Sequence, residues 1–222
     1  MKKLSFIIAA ATFAITASVS LSSCSIFGLD WQKDYHRVVD TVDAHVYKNA
    51  WDYLKQRSIE NKTDTIFKRM YDGIIYSGMD TAEYMKTDRT FIFLHNDAIY
   101  RSKATDCYFG AVKDTLGKTL GTTWTTYRKS DVKAYLQYLI VEGQYSHYNL
   151  PITNISVQTI GPKSFFPLAP DAKMKMMVLN GSNGNTQDDP IMLNALIYVR
   201  TSDIMPTNGV IHVIDKYLTP QQ

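Results

Sequence analysis

Asn208-Gly209-Val210-Ile211-His212-Val213-Ile214-Asp215-Lys216-Tyr217-Leu218-Thr219-Pro220 narrows the fold more than any other run of this sequence. Asn-Gly is the strongest short turn signal, and the β-branched residues after it predict a strand. Alternation places Val210, His212 and Ile214 on one face and Ile211, Val213 and Tyr217 on the other. Asp215 and Pro220 bound the run. The histidine is the odd residue in an apolar strand, because a buried imidazole needs a hydrogen-bond partner.

This run resembles the closing motif of fasciclin domains, roughly Asn-Gly-Val-Ile-His-x-Ile-Asp followed by x-x-Leu and x-Pro. Upstream, Thr90-Phe91-Ile92-Phe93-Leu94-His95-Asn96-Asp97-Ala98-Ile99 resembles the family's first block, an apolar strand running into a helix. The family usually has a proline where Leu94 and His95 stand, so the strand-to-helix corner is expected to differ. Asp131 to Tyr145 resembles the central helix and its Val-x-Gly-x-Tyr turn, carried by Val141, Gly143 and Tyr145. Tyr138-Leu139 stands where the family often has Tyr-His. Ser202-Asp203-Ile204 leads into the last strand as the family's Asp-Ile pair does. The resemblance spans about residues 35–220 and is strongest in the first and last blocks.

The resemblance implies an α+β fasciclin-like fold: a mixed β-sheet wedge with helices packed at one side and a helical N-terminal segment. The closing strand should pair with the Phe91 strand. His95, Asn96, Asn208, Gly209, His212 and Asp215 are the fold-motif residues. His95 and His212 should approach each other, with a structural hydrogen bond holding the corner after Leu94. Asn96 and Asp97 are expected to cap the helix they precede.

The N-terminus predicts where the chain resides. Lys2 and Lys3 precede an apolar run from Leu4 to Val19, and Leu21-Ser22-Ser23-Cys24 follows. That is the layout of a signal peptide, residues 1–23, ending in what resembles a bacterial lipoprotein box. Cys24 would carry the lipid, with palmitate-type acyl chains together anchoring stably where one alone holds marginally. Residues 24–34 form a short tether. Ser25, in place of an aspartate, points to the outer membrane, with the periplasmic and surface faces both open. The formal net charge is +3, and two of those charges are Lys2 and Lys3. Near-neutrality without a basic block argues against nucleic acid. Cys107 is then the only other thiol, expected as packed structure.

Helices dominate the first part of the chain. Asp34 to about Gln56 reads as helix with a break near Lys48-Asn49. Asp64 is expected to cap a second helix with Ile66, Phe67, Met70, Tyr71, Ile74 and Ile75 on its apolar face, stopped by Gly78. Asp80 starts one more turn. The segment at about 102–130 has no sustained period and reads as extra length. Its Trp124 and Tyr127 are candidate exposed contact residues, the alternative being that they pack inward. Ser130 is expected to cap the central helix, whose Val132, Leu136, Leu139 and Ile140 face the core. Strands are predicted at Asn154–Ile160, Lys173–Leu179 and Ile191–Thr201, and Asn180 to Asn185 reads as a loop. Helices first and strands later give an α+β domain.

Enzymatic signatures are missing from the sequence: nucleophile elbow, Walker loop, dinucleotide fingerprint, zinc spacing and EF-hand loop. No cofactor and no metal is expected; His36, Asp40 and Asp43 read as a solvated helical stripe. Asp-Thr-aliphatic tripeptides occur at Thr41, Thr65, Thr81 and Thr115 and resemble an O-glycosylation signal, although two also read as helix caps. The functional expectation is a lipid-anchored, non-enzymatic envelope adhesion protein that binds an extracellular or envelope protein, matrix or glycan. Tyr145, His147 and Tyr148 are its candidate contacts. The alternative is an accessory glycan-binding subunit of an outer-membrane nutrient-uptake system, stacking sugars on Trp124 and Tyr127.

Overall fold

The computed structural model describes residues 43–179 and 190–221. The signal segment, Cys24, the tether, His36, Asp40, Thr41 and the 180–185 loop lie outside the described residues. In chain order the elements are α1 (Ala50–Lys55), α2 (Lys68–Ser77), β1 (Arg89–Leu94), α3 (Asn96–Ile99), α4 (Tyr108–Ala111), α5 (Lys129–Tyr138), β2 (Ile140–Glu142), β3 (Ile155–Gln158), β4 (Lys173–Val178), β5 (Ile191–Leu193), β6 (Ile197–Tyr198), β7 (Thr201–Ile204) and β8 (Gly209–Ile214). The expected α+β class is the one observed, as two sheets with helices packed against them.

The first sheet runs β2-β1-β8-β7. As expected, the closing strand pairs with the Phe91 strand, in parallel from Arg89↔Gly209 to Leu94↔Ile214. All six residues of β8 are buried, because it is a central strand covered on both faces. Tyr217 lies beyond the end of β8 and joins a separate aromatic cluster instead of either strand face.

Phe91, Phe93, Ile211 and Val213 share one face, as their register dictates. Rings from the helical side cover it: Phe67 meets Phe93 edge-on at 5.3 Å, and Tyr84 stacks on Phe91 at 5.7 Å. The second sheet runs β3-β4-β5-β6. A bridge between Val141 and Thr159 joins the two sheets. β4 alternates between half-buried and buried, as Lys173-Met174-Lys175-Met176 predicts, yet it is an interior strand. The single strand predicted over Ile191–Thr201 is broken into β5, β6 and the start of β7. The backbone turns at Asn194 and Ala195, both with positive φ.

Asn208-Gly209 marks the right place for a reason other than the turn. Neither residue has positive φ. A Cβ on Gly209 would stand 2.0 Å from the Arg89 carbonyl oxygen, so glycine is required for β8 to approach β1. Asn208 is buried and acts as a hub. Its Oδ1 accepts from the Ala50 N–H at the start of α1, and its Nδ2 donates to the Tyr84 and Lys86 carbonyls, each at 2.9 Å.

Several capping expectations change. The expected break at Lys48-Asn49 is where helix begins, because the Asn49 side chain accepts from Asp52 N–H and caps α1. Of the described residues before it, Val46 N–H donates to the Met205 carbonyl at 3.0 Å, and Asp43 holds His45 and Tyr47 outside any helix. α2 starts at Lys68 and not after Asp64, whose carboxylate pairs with Arg57 instead. Its N-terminus is served from a distance: Asn96 Oδ1 accepts from Arg69 N–H at 2.9 Å, and Asn96 Nδ2 donates to the Thr65 carbonyl at 2.8 Å. The cap of α3 is therefore His95, whose Nδ1 accepts from Asp97 N–H. Ser130 does not cap α5; its hydroxyl turns to Asp131. Gly78, with φ of 64°, ends α2 as predicted, and Asp80 caps the turn at Thr81–Tyr84.

Candidate binding site

The segment after β2 is built as a fixed platform. Gly143 has φ of 94°, a value that favours glycine, and its N–H donates to the Asp88 carbonyl at 2.9 Å. Thr90, buried in β1, ties the turn twice. Its hydroxyl donates to the Gly143 carbonyl and accepts from the Tyr145 N–H, each at 2.8 Å. Tyr145 is half-buried and packs against the core. His147 N–H donates to both oxygens of the Asp203 carboxylate, at 3.0 and 3.3 Å. Asn149 closes the tip, accepting from Ser146 N–H at 2.7 Å and donating to the Gln144 carbonyl at 2.8 Å. Leu150 is buried as an anchor, and the next carbonyl, of Pro151, accepts from Val178 N–H in β4 at 2.9 Å.

Tyr148 stands at the apex of this platform with 85% of its surface exposed. Ile152, just past Pro151, is half-exposed. A large aromatic held outward on a backbone pinned on both sides is preorganised for contact, since little loop entropy remains to be lost on binding. Of the three contact residues expected from sequence, Tyr148 is the projecting one. Tyr145 and His147 serve to hold the platform.

His212 supplies the platform's electrostatic support. It is fully buried on the β8 face that bears Val210 and Ile214. Its Nε2–H donates to the Tyr145 carbonyl at 2.7 Å, and its Nδ1 accepts from Asp203 N–H at 3.3 Å. Burial pushes its pKa below the ordinary 6.5, opposed by the Tyr145 carbonyl and the Asp203 charge. The imidazole is therefore neutral with its proton on Nε2. His95 has its own partner, Asp97, so the two histidines hold two separate corners and do not bond to each other. Asp203, with φ of 57° in the irregular part of the β7–β8 pairing, was legible only as a landmark before the last strand; its role as acceptor for His147 was not.

Trp124 and Tyr127 are not exposed. They retain 7% and 3% of their surface, because 102–128 folds into short helical turns that deliver them to an aromatic cluster with Tyr108, Phe109 and Tyr135. Trp124 Nε1–H donates to the Arg69 carbonyl at 2.8 Å, and its indole lies where a Cβ on Gly73 would be, at 2.9 Å. Tyr127 hydroxyl donates to the Gly121 carbonyl at 3.0 Å. With their polar atoms satisfied inward, neither offers a face to a sugar, and the expected stacking platform does not exist there.

Asp215 sits just beyond β8, its carboxylate 3.6 Å from Arg200. Cys107 is buried, as expected. Thr65 and Thr115 are exposed and Thr81 is half-exposed. Asp114 and Asp80 each accept from the N–H two residues on, so the aspartates of two of these tripeptides fold the turns that carry Thr115 and Thr81. Among the described residues, no group of three His, Cys, Asp or Glu side chains could hold a metal ion, and no helix is long and apolar enough to cross a membrane.

Comparison with known proteins adds the following. Residues 111–220 match the model of the fasciclin domain. The chain is also similar to a solved FAS1 domain pair from the insect cell adhesion molecule fasciclin I. Identity there is 14% and the TM-score 0.43, over 70% of this chain and 45% of that one, so the chain spans under half the length of the domain pair. No curated protein matches the sequence. The fasciclin match takes in α5, the Gly143 turn, the Tyr148 platform and β8, while Asp88 and Thr90, which hold the turn, precede it.

Proposed function

We propose that the protein is a lipid-anchored binding protein of the cell envelope, adhesive and not enzymatic, that engages its partner through the platform bearing Tyr148. The observation that carries this reading is an aromatic side chain presented outward by a backbone fixed from Thr90, Asp203 and Pro151. The fasciclin-domain match over residues 111–220, which include the platform and Asp203, supports a binding role. The lipobox-like Leu21-Ser22-Ser23-Cys24 supports anchoring through acyl chains, and Ser25 after it supports the outer membrane. Many copies on one membrane would convert weak single contacts into avid attachment. Partners of this kind are an extracellular or envelope protein, matrix or glycan.

Two measurements test it. Cells expressing the full chain and fed an alkyne analogue of palmitate should label it, and Cys24→Ser should lose the label and move to the soluble fraction. Vesicles carrying the lipidated chain should be captured by immobilised fibronectin, laminin or collagen, and Tyr148→Ala should reduce capture roughly tenfold. Unchanged capture by Tyr148→Ala would remove the platform from the reading. Capture by a polysaccharide array but by no protein would favour the accessory glycan-binding role instead.

A further inference from the structure

Beside β7 the helical layer leaves a half-open cleft of about 430 Å³. Its floor is apolar, formed by Tyr53, Phe67, Ile204 and Val213. Three cationic or donor groups share that lining, Arg57, His95 and Arg200, and no acidic side chain is among the lining residues. The size falls within the ~300–1,000 Å³ of small-molecule pockets, which pair an apolar wall with a few converging polar groups. The cleft shares no lining residue with the Tyr148 platform.

Each of the three groups keeps donor capacity. Arg57 turns its Nε toward Asp64 and donates from Nη1 to the Tyr53 hydroxyl at 3.0 Å, which leaves Nη2 uncommitted among the described residues. Arg200 is half-exposed. Its Nη1 lies 3.6 Å from Asp215 and 3.9 Å from Asp97, too far for a hydrogen bond to either. His95 turns Nδ1 to Asp97, accepting from its N–H at 3.2 Å with the carboxylate at 3.3 Å; with that bond made, the ring proton on Nε2 is a donor. Two guanidiniums and an imidazole N–H over an aromatic and aliphatic floor complement one ligand chemistry, an anion with an apolar body. A planar carboxylate suits the forked donors of arginine.

We propose that this cleft binds a small organic carboxylate with an aryl or short alkyl body. The carboxylate sits between Arg57 and Arg200, with His95 Nε2 as third donor, and the body lies on Tyr53, Phe67 and Val213.

Titration of the full chain with 4-phenylbutyrate, followed by the methyl resonances of Ile204 and Val213 and by calorimetry, tests this. Saturable binding with shifts at both residues is expected. Neither 4-phenylbutanol, which lacks the anion, nor acetate, which lacks the body, should saturate over the same concentrations. Arg200→Gln, at a half-exposed position whose two carboxylate neighbours stand 3.6 and 3.9 Å away, should bind roughly tenfold more weakly with a melting temperature little changed. Thr201→Trp, which fills the mouth without removing a charge, should abolish binding. Equal affinity for 4-phenylbutanol, shifts confined to other residues, unchanged affinity in Arg200→Gln, or no binding of 4-phenylbutyrate would each overturn the assignment.

Discussion

β8 and the aromatic residues of the 102–128 segment both end inside the protein, but they reach the core by different routes. β8 is a local pattern: six residues whose alternation and flanks already say strand, inserted between β1 and β7. The 102–128 segment has no period at all, and its largest side chains are nonetheless buried. Trp124, Tyr127, Tyr108 and Phe109 meet each other and Tyr135 and Tyr217 from sites far apart in the chain. A strand is readable from its neighbours in sequence, whereas an aromatic cluster assembled across the fold is readable only from its neighbours in space.

The harshest test of the contrast lies in the first region. Gly209→Ala places a methyl 2.0 Å from the Arg89 carbonyl oxygen, a backbone atom that can yield only if β1 and β8 part. The loss expected is about 4 kcal/mol or more, the exceptional range for one substitution, seen as a protein without a cooperative melt. A folded Gly209→Ala with native melting would show that the motif glycine serves a turn after all. In the second region, Trp124→Ala removes a buried indole together with its bond to Arg69. A loss of about 3–5 kcal/mol is expected, with weakened near-ultraviolet circular dichroism from the surrounding tyrosines. An unchanged melting temperature would mean that 102–128 is a passive insertion.

Much of the first sheet was legible, and the reason is local. The Phe91 strand and the closing strand are legible from their own patterns, and their adjacency is what the resemblance to fasciclin domains implies. The capping residues were less so, because any Ser, Asp or Asn near a helix start is a candidate by type. Asp64 and Ser130 have the right chemistry, yet an arginine and a neighbouring carboxylate hold them. Asn96 does serve a helix N-terminus, but that of α2, through Arg69, 27 residues earlier, and not that of α3, which it opens. The candidate site divides the same way. Tyr148 was reached from the Gly143 turn, while Thr90 and Asp203, which hold that turn, act over separations of 53 to 56 residues.

His212 belongs to both kinds of region, a residue in the most legible strand whose partners were not legible, and the smallest expected effect concerns it. Its pKa lies below the ordinary 6.5 because burial disfavours the charged ring. The groups facing it are the Tyr145 carbonyl, the Asp203 N–H and carboxylate, and His147. Protonation would place a second ring N–H against the Asp203 N–H, two donors without an acceptor. Below pH 6.5 the unfolded chain therefore binds more protons at this position than the folded one, and stability rises with pH wherever that holds. The contribution is fully present above pH 6.5, declines as pH falls, and is gone once pH has passed below the folded value. Urea midpoints of the wild type should accordingly drop between pH 7.5 and pH 5, and the drop should shrink in His212→Gln, which cannot take up a proton. The platform should loosen in step, read as lower amide protection factors at Tyr145 and His147 in the wild type alone. Equal pH dependence in both proteins would leave His212 a packing residue and return the acid sensitivity to the carboxylates.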